Sequence, residues 1–112
     1  MSLPDDEACL RDMLDYARKA VEAIRGRSRG DLDHDAVLAA ALERFVEIIG
    51  EAAGRVSEER KAAVSDIPWR QITGMRNRLV HGYGAVDRDV LWDAVYDDLP
   101  NLIAELKREL GI

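Results

Sequence analysis

Between Ala36 and Arg55, apolar side chains fall at Val37, Leu38, Ala41, Leu42, Phe45, Ile48, Ile49 and Ala52. That spacing gathers them on one face of an α-helix. So long an amphipathic helix is stable only when its stripe is covered, so the rest of the chain must supply matching surfaces. It does: from Asp5 to about Arg25 a second stripe runs through Leu10, Met13, Leu14, Ala17, Val21 and Ile24. After Asp87, which suits a helix N-cap, a third runs through Leu91, Val95, Leu99, Leu102, Ile103, Leu106 and Leu110.

The connections carry their own signals. RGRSRGDLDHD combines glycines with capping residues and reads as a loop, with Asp33 or Asp35 as the cap of the helix that follows and His34 as an exposed residue beside it. Ser57 before two glutamates predicts a short helix to about Val64. Pro68 suits the first turn of a further helix, expected to end near His81 or Tyr83, where Gly82 and Gly84 weaken continuation. Pro100 either kinks the last helix or starts a new one, and the sequence leaves both open. Gly50 and Gly54 cost the long helix roughly 1 kcal/mol each against alanine, so close approach of a neighbouring helix is expected there. Glu43, Glu47 and Glu51 share one side, and one of them is a candidate to face a site on the facing helix.

These elements predict an all-α protein, an up-and-down bundle of four or five helices in a single domain over residues 1–112. With 34% charged and 47% hydrophobic residues, few Gly and Pro, and alanine and leucine abundant, composition favours helix over strand. The single Cys9 cannot form an intramolecular disulfide and sits on an apolar stripe, which predicts a buried thiol. No secretory signal or apolar run of spanning length is visible, so the expected location is the cytoplasm, with no membrane partner. A net charge of −6 argues against broad neutralisation of nucleic-acid phosphates. Any polyanion must be met locally.

One stretch is locally basic. RNRLVHGY, Arg76 to Tyr83, follows Arg70, and no acidic residue lies between Ile67 and Val86. A histidine titrates near neutrality and moves protons, whereas the arginine fork fits a phosphoryl group. RNA carries its own nucleophile in the 2′-OH, so one proton-transfer group and one anion stabiliser suffice to cleave it without metal. No HxH, HExxH or CxxC spacing suggests a dedicated metal site. On an intact helix Arg76 and His81 diverge by about 140°, while Asn77 lies near His81 and Arg76 near Tyr83. The spacing therefore suggests two adjoining strips at a helix end, brought together where the helix loosens.

The stretch DIPWRQITGMRNRLVHGYGAVD, Asp66 to Asp87, closely resembles the signature of the HepT-like toxins of the HEPN superfamily, in which an arginine is followed by four residues, a histidine, any residue and a tyrosine. Those positions here are Arg76, His81 and Tyr83, with Asn77 directly after the arginine. LERFVEIIGEAAGRVSEE and VLWDAVYDDLPNLI resemble the family's second and last helices.

The resemblance implies a helical bundle that dimerises with both motifs on a shared cleft. It implies a ribonuclease toxin with Arg76, His81 and Asn77 as catalytic residues and no cofactor, and the other arginines of the local basic cluster, Arg70 and Arg78, are then candidates to contact the RNA. It also implies a partner, an antitoxin with a minimal nucleotidyltransferase (MNT) fold, that silences the toxin by transferring AMP to Tyr83. A non-catalytic alternative stands beside this: a HEPN module that binds nucleotide or positions substrate for a nucleotidyltransferase.

Overall fold

The computed structural model describes residues 4–81 and 85–112, and for Pro4, Val80, His81 and Ala85 it describes the backbone only. Its helices are α1 (Pro4–Ala23), α2 (Asp31–His34), α3 (Ala36–Arg55), α4 (Glu58–Ala63), α5 (Trp69–Thr73), α6 (Met75–Leu79), α7 (Arg88–Asp93) and α8 (Leu99–Leu110). A two-residue antiparallel pair, β1 (Val80–His81) with β2 (Ala85–Val86), separates α6 from α7. The all-α expectation holds, with this small pair added. The molecule is 19 Å across its thinnest direction, the depth of about two packed helices. No described helix is long and apolar enough to cross a membrane.

α3 is the central element. It packs along α1, which in turn packs on α8, and its remaining contacts reach α2, α5, α6 and α7. One contiguous cluster of buried side chains fills the space between them, including Leu10, Met13 and Leu14 of α1, Leu42, Val46 and Ile49 of α3, and Leu99, Leu102 and Leu106 of α8. Tyr16 and Phe45 meet with ring centroids 5.9 Å apart, fixing α1 against α3 at the edge of that cluster. Cys9 is buried there, and burial, with Asp12 and Asp5 nearby, pushes its thiol pKa up, as suits a packing residue.

Local signals translated directly into helix starts. Asp35 accepts the Leu38 N–H at α3, Ser57 accepts the Arg60 N–H at α4, and Asp87 accepts the Asp89 and Val90 N–H groups at α7. The loop expected between α1 and α3 contains the short helix α2, whose Leu32 is fully buried; His34 is exposed, as read from the sequence. Arg27 reaches both Asp31 and Asp35 across this segment; the Ser28 N–H, with Arg27, holds the Asp31 carboxylate below its ordinary pKa, and Arg27 does the same for Asp35. α1 ends at Ala23, two residues short of the expected Arg25, ahead of Gly26 in the left-handed region at φ 72°.

The buried face of α3 is rotated from the expected one. Val37 is 80% exposed, whereas Val46, absent from the predicted stripe, is fully buried. Ala41, Phe45 and Ile48 are half-buried. The reason is α5 and α6, which cover the side of α3 that carries Val46 and Gly50. A Cβ on Gly50 would stand 3.4 Å from the Ile72 carbonyl, so the close approach anticipated for the two glycines occurs at Gly50; nothing lies within 4 Å at Gly54.

Pro100 is accommodated by a π-helical turn over Ala94–Asp98, which joins α7 to α8 without a break. The Leu99 N–H donates to the Ala94 carbonyl, five residues back, and Pro100 follows in the first turn of α8. Both readings of the proline are thus partly right: the geometry changes at it, and the helix resumes.

Candidate active site

The predicted fourth helix is not continuous to His81 or Tyr83. α5 and α6 are separated at Gly74, and helical geometry stops at Leu79. Helical hydrogen bonds nonetheless bridge the break: Gly74 N–H donates to the Arg70 carbonyl at 3.0 Å and Arg78 N–H to the Gly74 carbonyl at 3.3 Å. Met75 and Leu79, one turn apart, are both buried and pin α6 to the core. The three residues between them, Arg76, Asn77 and Arg78, are consequently all exposed.

Beyond Leu79 the chain turns into β1, whose Val80 pairs with Val86 and His81 with Ala85. The Asp87 N–H donates to the Leu79 carbonyl at 2.7 Å and closes the junction. The arginine and histidine of the motif therefore lie on two kinds of backbone, one helical and one extended. The divergence of about 140° expected on an intact helix no longer applies. The strips of Asn77 with His81 and Arg76 with Tyr83 are expected at a helix end that loosens, and the helix does end ahead of His81, at Leu79. The His81 side chain and the whole of Tyr83 lie outside the described residues.

Of the three glutamates on α3, Glu47 is the one that meets the motif. Its Oε2 is 3.8 Å from Arg76 Nε, and its Oε1 accepts from Arg44 at 3.1 Å. The pair with Arg76 is long and solvent-screened, so it orients the guanidinium without occupying its fork, and a phosphoryl group making two short hydrogen bonds would displace it. Arg78 donates to the Gln71 carbonyl at 3.4 Å. Its charge also acts on Asp98 of the π turn, whose carboxyl is pushed above its ordinary pKa by burial and drawn back by Arg78. Asp98 is a neighbour no sequence signal pointed to, because twenty residues separate it from Arg78. Arg70 is exposed on α5, and its carbonyl accepts the Thr73 hydroxyl.

The far side of the junction is clamped to α2. Arg29 bonds Asp89 and lies 3.2 Å from Asp33, and Arg88 lies 3.6 Å from the same Asp33 oxygen. These pairs tie the start of α7 to α2. Among the described residues, no group of three or more His, Cys, Asp or Glu is placed to hold a metal ion.

The described residues thus form a helical bundle in which an exposed Arg-Asn-Arg turn leads into a strand that carries the motif histidine. The chain belongs to the HepT-like ribonuclease family: the family model described as "Ribonuclease HepT-like" matches residues 13–109. It is similar to a protein of Caldanaerobacter subterraneus subsp. tengcongensis that is provisionally named an RNase, 34% identical over 101 residues and covering 90% of each chain. It is likewise 34% identical over 102 residues to the "Probable ribonuclease HepT" of Thermococcus cleftensis, covering 88% of this chain and 93% of that one. A Methanocaldococcus jannaschii protein, also provisionally an RNase, is 30% identical over 107 residues, with 96% of this chain and 98% of the other covered. No solved structure gives a significant match.

Proposed function

We propose that the protein is a metal-independent endoribonuclease of the toxin kind. The observation that carries this reading is the exposed Arg76, held off the core between buried Met75 and Leu79 and paired only loosely with Glu47, five residues before the motif histidine. The ribonuclease names of the relatives support it. In the reaction, the 2′-OH of one nucleotide attacks the adjacent phosphorus and the 5′-oxygen of the next leaves, giving a 2′,3′-cyclic phosphate and a 5′-OH. His81 takes the proton from the 2′-OH or returns one to the leaving oxygen, Arg76 stabilises the charge on the phosphorane-like transition state, and Asn77 orients the histidine or the phosphate. Arg70 and Arg78 hold flanking phosphates. The test is the end group and the metal requirement: RNA incubated with the protein in EDTA should yield 2′,3′-cyclic phosphate termini. Activity abolished by EDTA would overturn the mechanism, and binding without any cleavage would leave a nucleotide-binding HEPN module.

Two further elements belong to this reading. A homodimer about a two-fold axis would bring two basic motifs to one cleft, offsetting the acidity of the chain and supplying one histidine as base and one as acid. Light scattering should give a dimer at micromolar concentration; a fully active monomer would remove it. Silencing would come from an MNT-fold nucleotidyltransferase antitoxin that transfers AMP from ATP to the Tyr83 hydroxyl with release of pyrophosphate, adding charge and bulk where substrate phosphate lies. Intact-mass analysis after incubation with that enzyme and Mg-ATP should show AMP on Tyr83, and Tyr83→Phe should stay active and unmodified. Modification at Tyr16 or Tyr96 instead would reject Tyr83 as the switch.

A further inference from the structure

A groove of about 500 Å³ runs between α4 and α5, lined by Glu58, Lys61, Ser65, Trp69, Arg70 and Thr73 among others. Its aromatic wall is fixed. The Trp69 indole N–H donates to the Lys61 carbonyl at 3.1 Å and to the Val64 carbonyl at 2.9 Å at the C-terminal end of α4, sharing them with the Val64 and Ile67 backbone N–H groups. Trp69 is half-buried, packs in part against the core and lines the groove. That hydrogen bonding explains the tryptophan's orientation but not the charges around it. The Lys61 side chain is 16% exposed, and its ammonium meets Glu58, whose side chain is 93% exposed, at 3.5 Å. Arg70 has no carboxylate within ion-pair distance among the described residues. In a chain of net charge −6, this groove sets two cations, Lys61 and Arg70, and one carboxylate, Glu58, beside the indole.

The groove also connects to the motif. Thr73 and Asn77 lie three and seven residues after Arg70, one row of a helix, and the hydrogen bonds through Gly74 carry that row from α5 into α6. Arg70 and Arg76 are separated by about 9 Å along the axis and about 120° around it, so Asn77, in the row of Arg70, is the motif residue on the side of the groove.

We propose that this groove is a substrate subsite that holds one nucleotide of single-stranded RNA next to the scissile phosphodiester, its base on the Trp69 ring and its phosphate between Lys61 and Arg70. This rests on the ribonuclease reading for the identity of the strand, whereas the groove's affinity for it does not require cleavage. Stacking on aromatic rings tolerates any base, so the subsite supplies affinity and register and little sequence preference. The Thr73 hydroxyl donates to the Arg70 carbonyl and retains an acceptor for a sugar hydroxyl, and Ser65 lines the same groove.

The experiment uses the full chain carrying Trp92→Phe, which leaves Trp69 as its one indole, titrated with a non-cleavable 2′-O-methyl single-stranded oligonucleotide. Saturable quenching of Trp69 emission is expected. Lys61→Gln and Arg70→Gln should each lower the slope of log affinity against log salt by roughly 0.7, the contribution of one phosphate contact on a single strand. In cleavage assays each should raise KM several-fold with kcat within about twofold, the signature of lost ground-state binding. Arg18→Gln, an exposed cation of α1 outside the groove, serves as the charge control. Unchanged Trp69 emission at saturation, or equal losses in Arg18→Gln, would overturn the subsite. Quenching by AMP as strong as that by the oligonucleotide would mark a mononucleotide site and overturn the assignment to RNA. Trp69 quenching with the expected salt slopes but no cleavage would uphold the subsite and reject the ribonuclease reading. Substitution of Trp69 itself is avoided, because loss of its two hydrogen bonds would confound folding with binding.

Discussion

Replacing His81 with alanine should slow RNA cleavage by roughly 10²–10⁴, the range for loss of a general acid or base, and Arg76→Ala should cost a comparable factor. The structure makes the arginine result interpretable. Arg76 is exposed, and its ion pair with Glu47 at 3.8 Å contributes little to stability, so the variant should melt close to wild type while losing activity. Arg76→Lys separates charge from geometry: a lysine keeps the cation but not the planar fork, so recovery should be partial. Asn77→Ala should have a smaller effect, on kcat more than on KM. If His81→Ala cleaves as fast as wild type with an unchanged melting temperature, the histidine has no part in the chemistry.

The largest expected loss of stability lies away from the motif. Asp6 is fully buried at the start of α1, where its Oδ1 accepts the Ser57 N–H at 2.9 Å and its Oδ2 accepts the Ser57 hydroxyl at 2.6 Å. The same Ser57 oxygen accepts the Arg60 N–H and so caps α4. A buried carboxylate thus orients the cap of a helix 51 residues away in sequence. Asp6→Ala would leave two donors without these acceptors and open a small void, so a loss of about 2–4 kcal/mol is expected. In a domain this size that is a fall in Tm of roughly 10 °C or more. Ser57→Ala should cost less, because the backbone N–H still reaches Asp6, and the double variant should fall short of the sum. A thermal melt of Asp6→Ala within about 2 °C of wild type would show that the network contributes nothing.

Much of the architecture is written in short-range patterns. α3 begins and ends where its stripe, its Asp35 cap and the Ser57 signal place it, because capping and i, i+4 spacing depend only on residues a turn apart. The buried Cys9, the exposed His34 and the cap at Asp87 follow from the same local rules. The spacing of Arg76, Asn77, His81 and Tyr83 is a sequence property too, and it already carries the family. Other features depend on which element lies across the gap. A stripe wide enough to include both Val37 and Ile48 does not say which edge will be covered, and α5 and α6 decided for Val46 over Val37. Gly50 rather than Gly54 meets a neighbouring backbone, and Glu47 rather than Glu43 or Glu51 pairs with Arg76. Weak helix signals after Leu79 left the chain free to form the pair of β1 with β2, closed by the bond from Asp87 to the Leu79 carbonyl. The sequence alone therefore determined where the main helices run and which residues form the motif. Only the tertiary structure decided which faces are buried, where the motif helix stops and what its arginine touches, because those depend on the relative placement of segments tens of residues apart.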